Sequence, residues 1–126
     1  MGVRDTKPGA YGDFATRFQL DSDYQAGNTQ PAVGVDSGRT NSAVNLATQT
    51  AYLIVGKWED TNADNTWDKG TMWVLSASNY DAIKAAGVTE AELNATYTVK
   101  VTDTASTGVD FQSTYYQTLA GYRTSK

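Results

Sequence analysis

The chain contains no cysteine and no histidine. Their absence excludes disulfides, thiol chemistry, zinc sites of the usual kind and acid–base catalysis through imidazole. Charge is sparse too: 19% of residues are Asp, Glu, Lys or Arg, and the formal net charge is −4 at pH 7. An acidic surface repels a phosphate backbone, which sets nucleic acid aside as a partner. No apolar run reaches the roughly 18 residues of a membrane-spanning helix. The opening stretch MGVRDTKPGAYG is polar and lacks the apolar centre of a signal peptide, so the signal of an exported protein would lie upstream of it.

What remains is 126 residues, 40% hydrophobic and 11% aromatic, enough to enclose one core, with Thr, Ser, Asn and Gly prominent. This profile fits a β-rich extracellular or cell-surface domain. Residues 1–12 read as a loop with a turn at Pro8-Gly9. DFATRFQL alternates, placing Phe14, Thr16, Phe18 and Leu20 on one strand face. DSDYQAGNTQP reads as a loop. PAVGVD is a short strand with Pro31 at its start, where a missing donor is tolerated, and SAVNLAT is a weaker strand. TAYLIVGKW is the strongest strand signal: Tyr52, Ile54, Gly56 and Trp58 face one way, and Leu53, Val55 and Lys57 the other. Its middle is apolar on both faces, which predicts a central strand covered on both sides. TMWVLSA follows as its antiparallel partner.

SASNYDAIKAAG then changes character, predicting a short helix capped by Ser78 or Asn79 and closed near Gly87. Thr89 with Glu92 three residues on is a capping-box spacing, predicting a second helical turn. TYTVKVTD returns to alternation with Tyr97, Val99 and Val101 inward. STG turns the chain, and a last strand over VDFQSTYYQTLAGYR places Val109, Phe111 and Ser113 on one face. No internal repeat occurs. Six or so short strands with one helical excursion predict an all-β, antiparallel sandwich.

The chemistry-bearing stretch is WEDTNADNTWDKGTMW, residues 58–73, with four carboxylates between Trp58 and Trp73. Asp60, Asn62, Asp64, Thr66 and Asp68 fall at alternate positions, as oxygen ligands do in a calcium loop. Asn65 stands where the sharp-turn glycine of such a loop belongs, and Thr71 stands where its bidentate glutamate belongs. The competing reading is a long hairpin turn whose Asp and Asn side chains cap their own backbone. Trp58, Trp67, Trp73, Tyr115 and Tyr116 are aromatic faces on which a sugar ring could stack. Trp67 is the best of them, set in a polar loop beside Asn62 and Asn65 with no neighbouring apolar residue, whereas Trp58 and Trp73 read as core or strand-edge residues. Packing of its ring onto the rim of the sandwich competes with that role.

The pieces AYLIVGK and GTMWVLSAS, joined by the Asn/Asp-rich turn and followed by a helical excursion, resemble the concanavalin-A-like, LamG-type jelly-roll domains of bacterial secreted and surface proteins. The resemblance covers roughly residues 14–103 and rests on structural rather than catalytic motifs. It implies a jelly-roll β-sandwich over a single domain, residues 1–126. Two departures are plain. The second strand of the family ends in Asn-Pro where this chain reads VLSAS, and the full jelly roll needs more chain than 126 residues. Either the domain is minimal or some N-terminal strands lie outside it, with the edge left covered by another subunit.

Catalysis of the kind found in jelly-roll glycosidases needs two carboxylates flanking one bond. Glu59 and Asp60 are adjacent and point to opposite faces, and Glu90 and Glu92 sit on a helical turn. The Asn94-Ala95-Thr96 triplet matches a glycosylation acceptor, a pattern common by chance. The expectation is therefore a non-catalytic extracellular domain serving glycan binding or cell-surface adhesion. Trp67, Asn62 and Asn65 would contact the ligand, and Asp60, Asn62, Asp64 and Asp68 would contact calcium. The alternative is a structural subunit of an extracellular filament or shell, self-associating through edge strands.

Overall fold

The computed structural model describes residues 2–5, 16–23, 28–35, 40–47, 49–110 and 114–117, with side chains over 30–35, 40–47 and 49–105. The described elements are β1 (Gly2–Asp5), β2 (Thr16–Asp23), β3 (Asn28–Val35), β4 (Thr40–Asn41), β5 (Tyr52–Glu59), β6 (Thr66–Ser76), α1 (Ala77–Ile83), α2 (Glu90–Thr96), β7 (Val99–Asp110) and β8 (Thr114–Gln117). The strands form two antiparallel sheets, ordered β4-β3-β2-β1-β8 and β5-β6-β7, so the fold is mainly β. Among the described residues no helix is long and apolar enough to cross a membrane. Apart from the β1–β8 pairing, each strand pairs with a neighbour in sequence, as in a meander. Jelly-roll connectivity therefore rests on the resemblance alone.

The two sheets meet through Val33 of β3, Leu46, Met72 and Val74 of β6, and Val99 and Val101 of β7, with Tyr52 and Trp58 of β5 packed against them. The opposite face of the three-stranded sheet is covered by the helices. Trp73 and Leu75 of β6, with Val55 alongside, pack against Ile83 of α1 and Leu93 of α2. The helical excursion is thus a third layer, and each short helix is held by one buried side chain. Local chemistry fixes where these helices start. Thr89 and Glu92 form the predicted capping box, with the Thr89 hydroxyl accepting from the Glu92 N–H at 3.3 Å.

Asp103 joins the sheets at their polar end. Its carboxylate accepts the Val35 N–H at 2.9 Å and the Thr40 hydroxyl at 2.5 Å, tying β7 to both strands of the β3–β4 hairpin. Nothing in the local pattern of TYTVKVTD marks this residue as a clasp, because its partners are 68 and 63 residues away.

Several expectations are corrected. The doubly covered central strand is β6, not β5: β5 lies at the sheet edge, with Leu53 and Ile54 38% and 41% exposed. The stretch 42–47 bends at Ala43 and Val44, and the strand paired with β3 is the preceding Thr40–Asn41; Thr48 lies outside the described residues. Residues 2–5, read as loop, form β1. The loop reading of 21–31 fails in part, because β2 continues to Asp23 and β3 begins at Asn28. Pro31 is therefore inside β3. Its carbonyl accepts from Ser42 at 2.7 Å, so its missing N–H faces the side where the two-residue β4 has ended.

Helix α1 is capped by Ser76 rather than Ser78 or Asn79. The Ser76 hydroxyl accepts the Asn79 N–H, while the Asn79 side chain donates to the Thr98 hydroxyl. Tyr97 is exposed rather than inward because it is the C-cap of α2 and precedes the β7 ladder. STG does not turn the chain. Strand β7 continues through it, and the extra residues are absorbed as a register shift, Trp67 pairing with Val109 and Lys69 with Thr104. Val109 accordingly belongs to β7, and Phe14, Phe111 and Ser113 lie outside the described residues.

Candidate functional site: the rim of the β5–β6 hairpin

The ladder between β5 and β6 ends at the pair Glu59–Lys69, and the chain between them makes the acidic loop. The loop is folded around its own carboxylates. Asp60 Oδ1 accepts the N–H groups of Asn62, Ala63 and Asp64 at 3.3, 2.7 and 3.3 Å, and its Oδ2 accepts that of Asn65 at 3.0 Å. Asp64 Oδ1 accepts both the N–H and the hydroxyl of Thr66, at 2.9 and 2.6 Å. Asp68 takes the N–H and the hydroxyl of Thr61 at 3.0 and 2.6 Å. Every backbone N–H from Thr61 to Thr66 is thereby accepted by an aspartate, which is how a polar turn keeps its backbone satisfied without a ladder. The Thr66 hydroxyl is the main cause holding the Asp64 carboxyl below the usual aspartate range.

These bonds sort the predicted metal residues. Asp60, Asn62 and Asp64 lie together, linked by the Asn62 side-chain amide to Asp64 at 3.1 Å. Asp68 is separated from them in role: it is 7% exposed, with both oxygens committed to Thr61 at the base of the loop. Among the described residues, no group of three or more Asp or Glu side chains forms a metal cluster. Asn65 adopts φ 67°, the left-handed conformation a glycine would take there, and Asn is among the residues that tolerate it.

Ala63 also lies in the left-handed region, at φ 61°, with no side-chain hydrogen bond to compensate. Ala63→Gly should therefore raise stability by about 0.5–1 kcal/mol, the relief of Cβ strain exceeding the added entropy of glycine. Urea unfolding reads the difference, and an unchanged or lowered midpoint would contradict the strain.

Beside the loop stands an aromatic pair. Trp67 stacks on Trp58 with ring centroids 6.3 Å apart and planes 20° apart. Trp58 in turn packs against the core between the sheets and covers Gly70, its cross-strand partner. Trp67 is half-buried at the rim, so its ring packs onto the sandwich while part of it stays accessible. Trp73 is core. The side chains of Tyr115 and Tyr116 lie outside the described residues.

The carboxylates weighed for catalysis all have partners. Glu59 bridges Lys57 and Lys69 at 2.9 Å each, and these two ammonium groups, Lys57 foremost, hold its carboxyl below the usual glutamate range. Glu90 pairs with Lys57 at 2.7 Å, tying α2 to β5, and this bond is the main cause raising the Lys57 pKa. Glu92 closes the capping box. Asn94 lies on α2 with its Oδ1 accepting from the Trp73 indole at 3.0 Å and from Lys100 at 2.7 Å, a structural role for the residue of the glycosylation triplet.

Sequence reasoning missed Trp58 as the support of Trp67 and Glu59–Lys69 as a cross-strand pair. Counting outward from the turn would have found the second, since hairpin register follows from loop length. Comparison with protein-family models, with curated proteins and with solved structures returns no match to this chain.

Proposed function

We propose that this chain is a non-catalytic, glycan-binding domain of an extracellular or cell-surface protein, of LamG-like jelly-roll kin, recognising its ligand at the rim of the β5–β6 hairpin. The observation that carries this reading is the Trp67 ring, held parallel to Trp58 beside a loop whose Asn62, Asp64 and Asn65 are exposed. A sugar presents apolar C–H faces and hydroxyl edges. An aromatic plane fixed before binding takes the face at little entropic cost, and amide and carboxylate groups take the edge. Trp58 supplies that fixing, because the core packs against it from below.

A calcium ion would be held by oxygens of Asp60, Asn62 and Asp64. Asp68 would join only by leaving Thr61. The bonds already folding the loop support a turn that stands without the ion, with calcium as an added bridge to sugar hydroxyls.

A glycan array read with the wild-type chain and with Trp67→Ala, each in calcium and in EDTA, tests both parts. Loss of the stacking face should weaken the strongest glycan signal about tenfold or more. A signal unchanged in Trp67→Ala, or no glycan bound at all, overturns the reading. Signal and melting temperature insensitive to EDTA remove calcium from it.

A further inference from the structure

Strand β5 is the edge of the three-stranded sheet, and among the described residues only β6 pairs with it. Natural edge strands are protected by charge, proline, bulges or shortness. β5 has little of this where it matters. It is eight residues long, its ladder to β6 is unbroken, and the stretch Tyr52–Gly56, YLIVG, carries no charge and no proline. Its two exposed apolar side chains lie on opposite faces, Ile54 on the side of the other sheet and Leu53 on the side of the helices.

We propose that β5 is a self-pairing edge, on which a second copy of this chain adds antiparallel about a two-fold axis through Ile54. An axis perpendicular to the sheet keeps each face on its own side, so only registers opposing residues of like facing are allowed. Centring on Ile54 sets Ile54 against Ile54 of the second copy, Leu53 against Val55 and Tyr52 against Gly56. Both exposed apolar side chains then gain an apolar neighbour across the strand. Lys57 and Glu59, the charged residues of β5, fall beyond the start of the partner's strand, so no like charges are opposed. Moving the axis to Val55 would set Leu53 against Lys57 and lose this complementarity. The joined sheet would be continuous from one β7 through both copies of β5 to the other, with the outward backbone groups of Tyr52–Gly56 paired across the join.

The surface is small, so the dimer should be weak: monomer at about 1 µM and substantially dimeric toward about 1 mM. Sedimentation of the wild-type chain over that range tests the association, and Ile54→Lys, a charge on the axis, should keep it monomeric. Register is tested by a cysteine, because the chain has none of its own. Opposed residues in an antiparallel pair lie about 4.5–5.5 Å apart at Cα, within disulfide reach. Oxidised Ile54→Cys should therefore cross-link to a covalent dimer, whereas Val44→Cys, exposed but away from β5, should not. A wild-type chain still monomeric near 1 mM overturns the proposal, as does Ile54→Cys cross-linking no faster than Val44→Cys. The inference is independent of glycan recognition: Trp67→Ala should leave the dimer intact, and Ile54→Lys should leave glycan binding intact.

Discussion

Replacing Trp73 by alanine should lower stability by about 3–5 kcal/mol, the range for truncating a buried tryptophan. The residue is 1% exposed on the central strand and is one of the largest fully buried side chains. Its ring is the platform on which the helical layer rests, in one cluster with Leu75, Ile83 and Leu93. Helices α1 and α2 have seven residues each, too short to persist in water by themselves, and each contributes a single buried residue. Removing the indole therefore takes away most of what docks them. The indole N–H bond to Asn94 and the Lys100 ammonium 5.6 Å above the ring go with it, though Asn94 keeps Lys100 as a donor. Trp73→Phe separates the terms, keeping most of the apolar area and losing the hydrogen bond, so it should cost far less. Urea unfolding followed by far-ultraviolet circular dichroism measures both, and a Trp73→Ala loss below about 1 kcal/mol would refute the platform role.

The second large effect is at Gly70. A Cβ there would stand 2.2 Å from Trp58 Cζ3 and 2.8 Å from Val33 Cγ1, between a ring of its own sheet and a side chain of the opposite one. Val33 is fully buried and has nowhere to retreat, so the ring must move. Gly70→Ala should cost about 1–3 kcal/mol, the usual range for overpacking, and Gly70→Val more. The same displacement should disturb the Trp58–Trp67 stack, and with it tryptophan emission and the glycan affinity proposed for Trp67. Ordinary stability and unaltered emission in Gly70→Ala would mean that the ring yields freely, and the proposed preorientation of Trp67 would fall with it. Gly87 makes a contrast: a side chain there meets open space, and only its φ of 93° opposes substitution.

The loop between these aromatics was readable in outline. Asp, Asn and Thr at alternate positions between two strands mark a turn that caps itself, and each of Asp60, Asp64 and Asp68 is found on a nearby backbone N–H. Alternating oxygens suit a cation and a self-capped turn equally, so spacing alone leaves the two undivided. What separates Asp68 from the others is its burial beneath Thr61, set by how β6 enters the sheet. Trp67 was misjudged in two respects: it lies on β6 rather than in the loop, and it has an apolar neighbour, Trp58, nine residues back and brought close by the hairpin.

Strand β5 teaches the complementary lesson. Its facing was legible residue by residue, Tyr52 and Trp58 toward the inter-sheet core and Val55 toward the helices. Its place in the sheet was not. An apolar strand with two oily faces is indistinguishable locally from its neighbour, and both TAYLIVGKW and TMWVLSA fit a central position. The choice between them waits on β7, which returns after both helices and pairs with β6.

By itself, then, the amino-acid order determined the short-range features: the β5–β6 hairpin, the capping box at Thr89, the self-satisfied loop and the inward facing of Val99 and Val101. Each depends on residues close in sequence, whose spacing sets their geometry. Only the tertiary structure decided which strand is central, that the helices form a covering layer, that Asp103 clasps Val35 and Thr40, and that Trp58 carries Trp67. Those outcomes depend on which distant segments bury one another, and burial is a property of the assembled layers rather than of any stretch of chain.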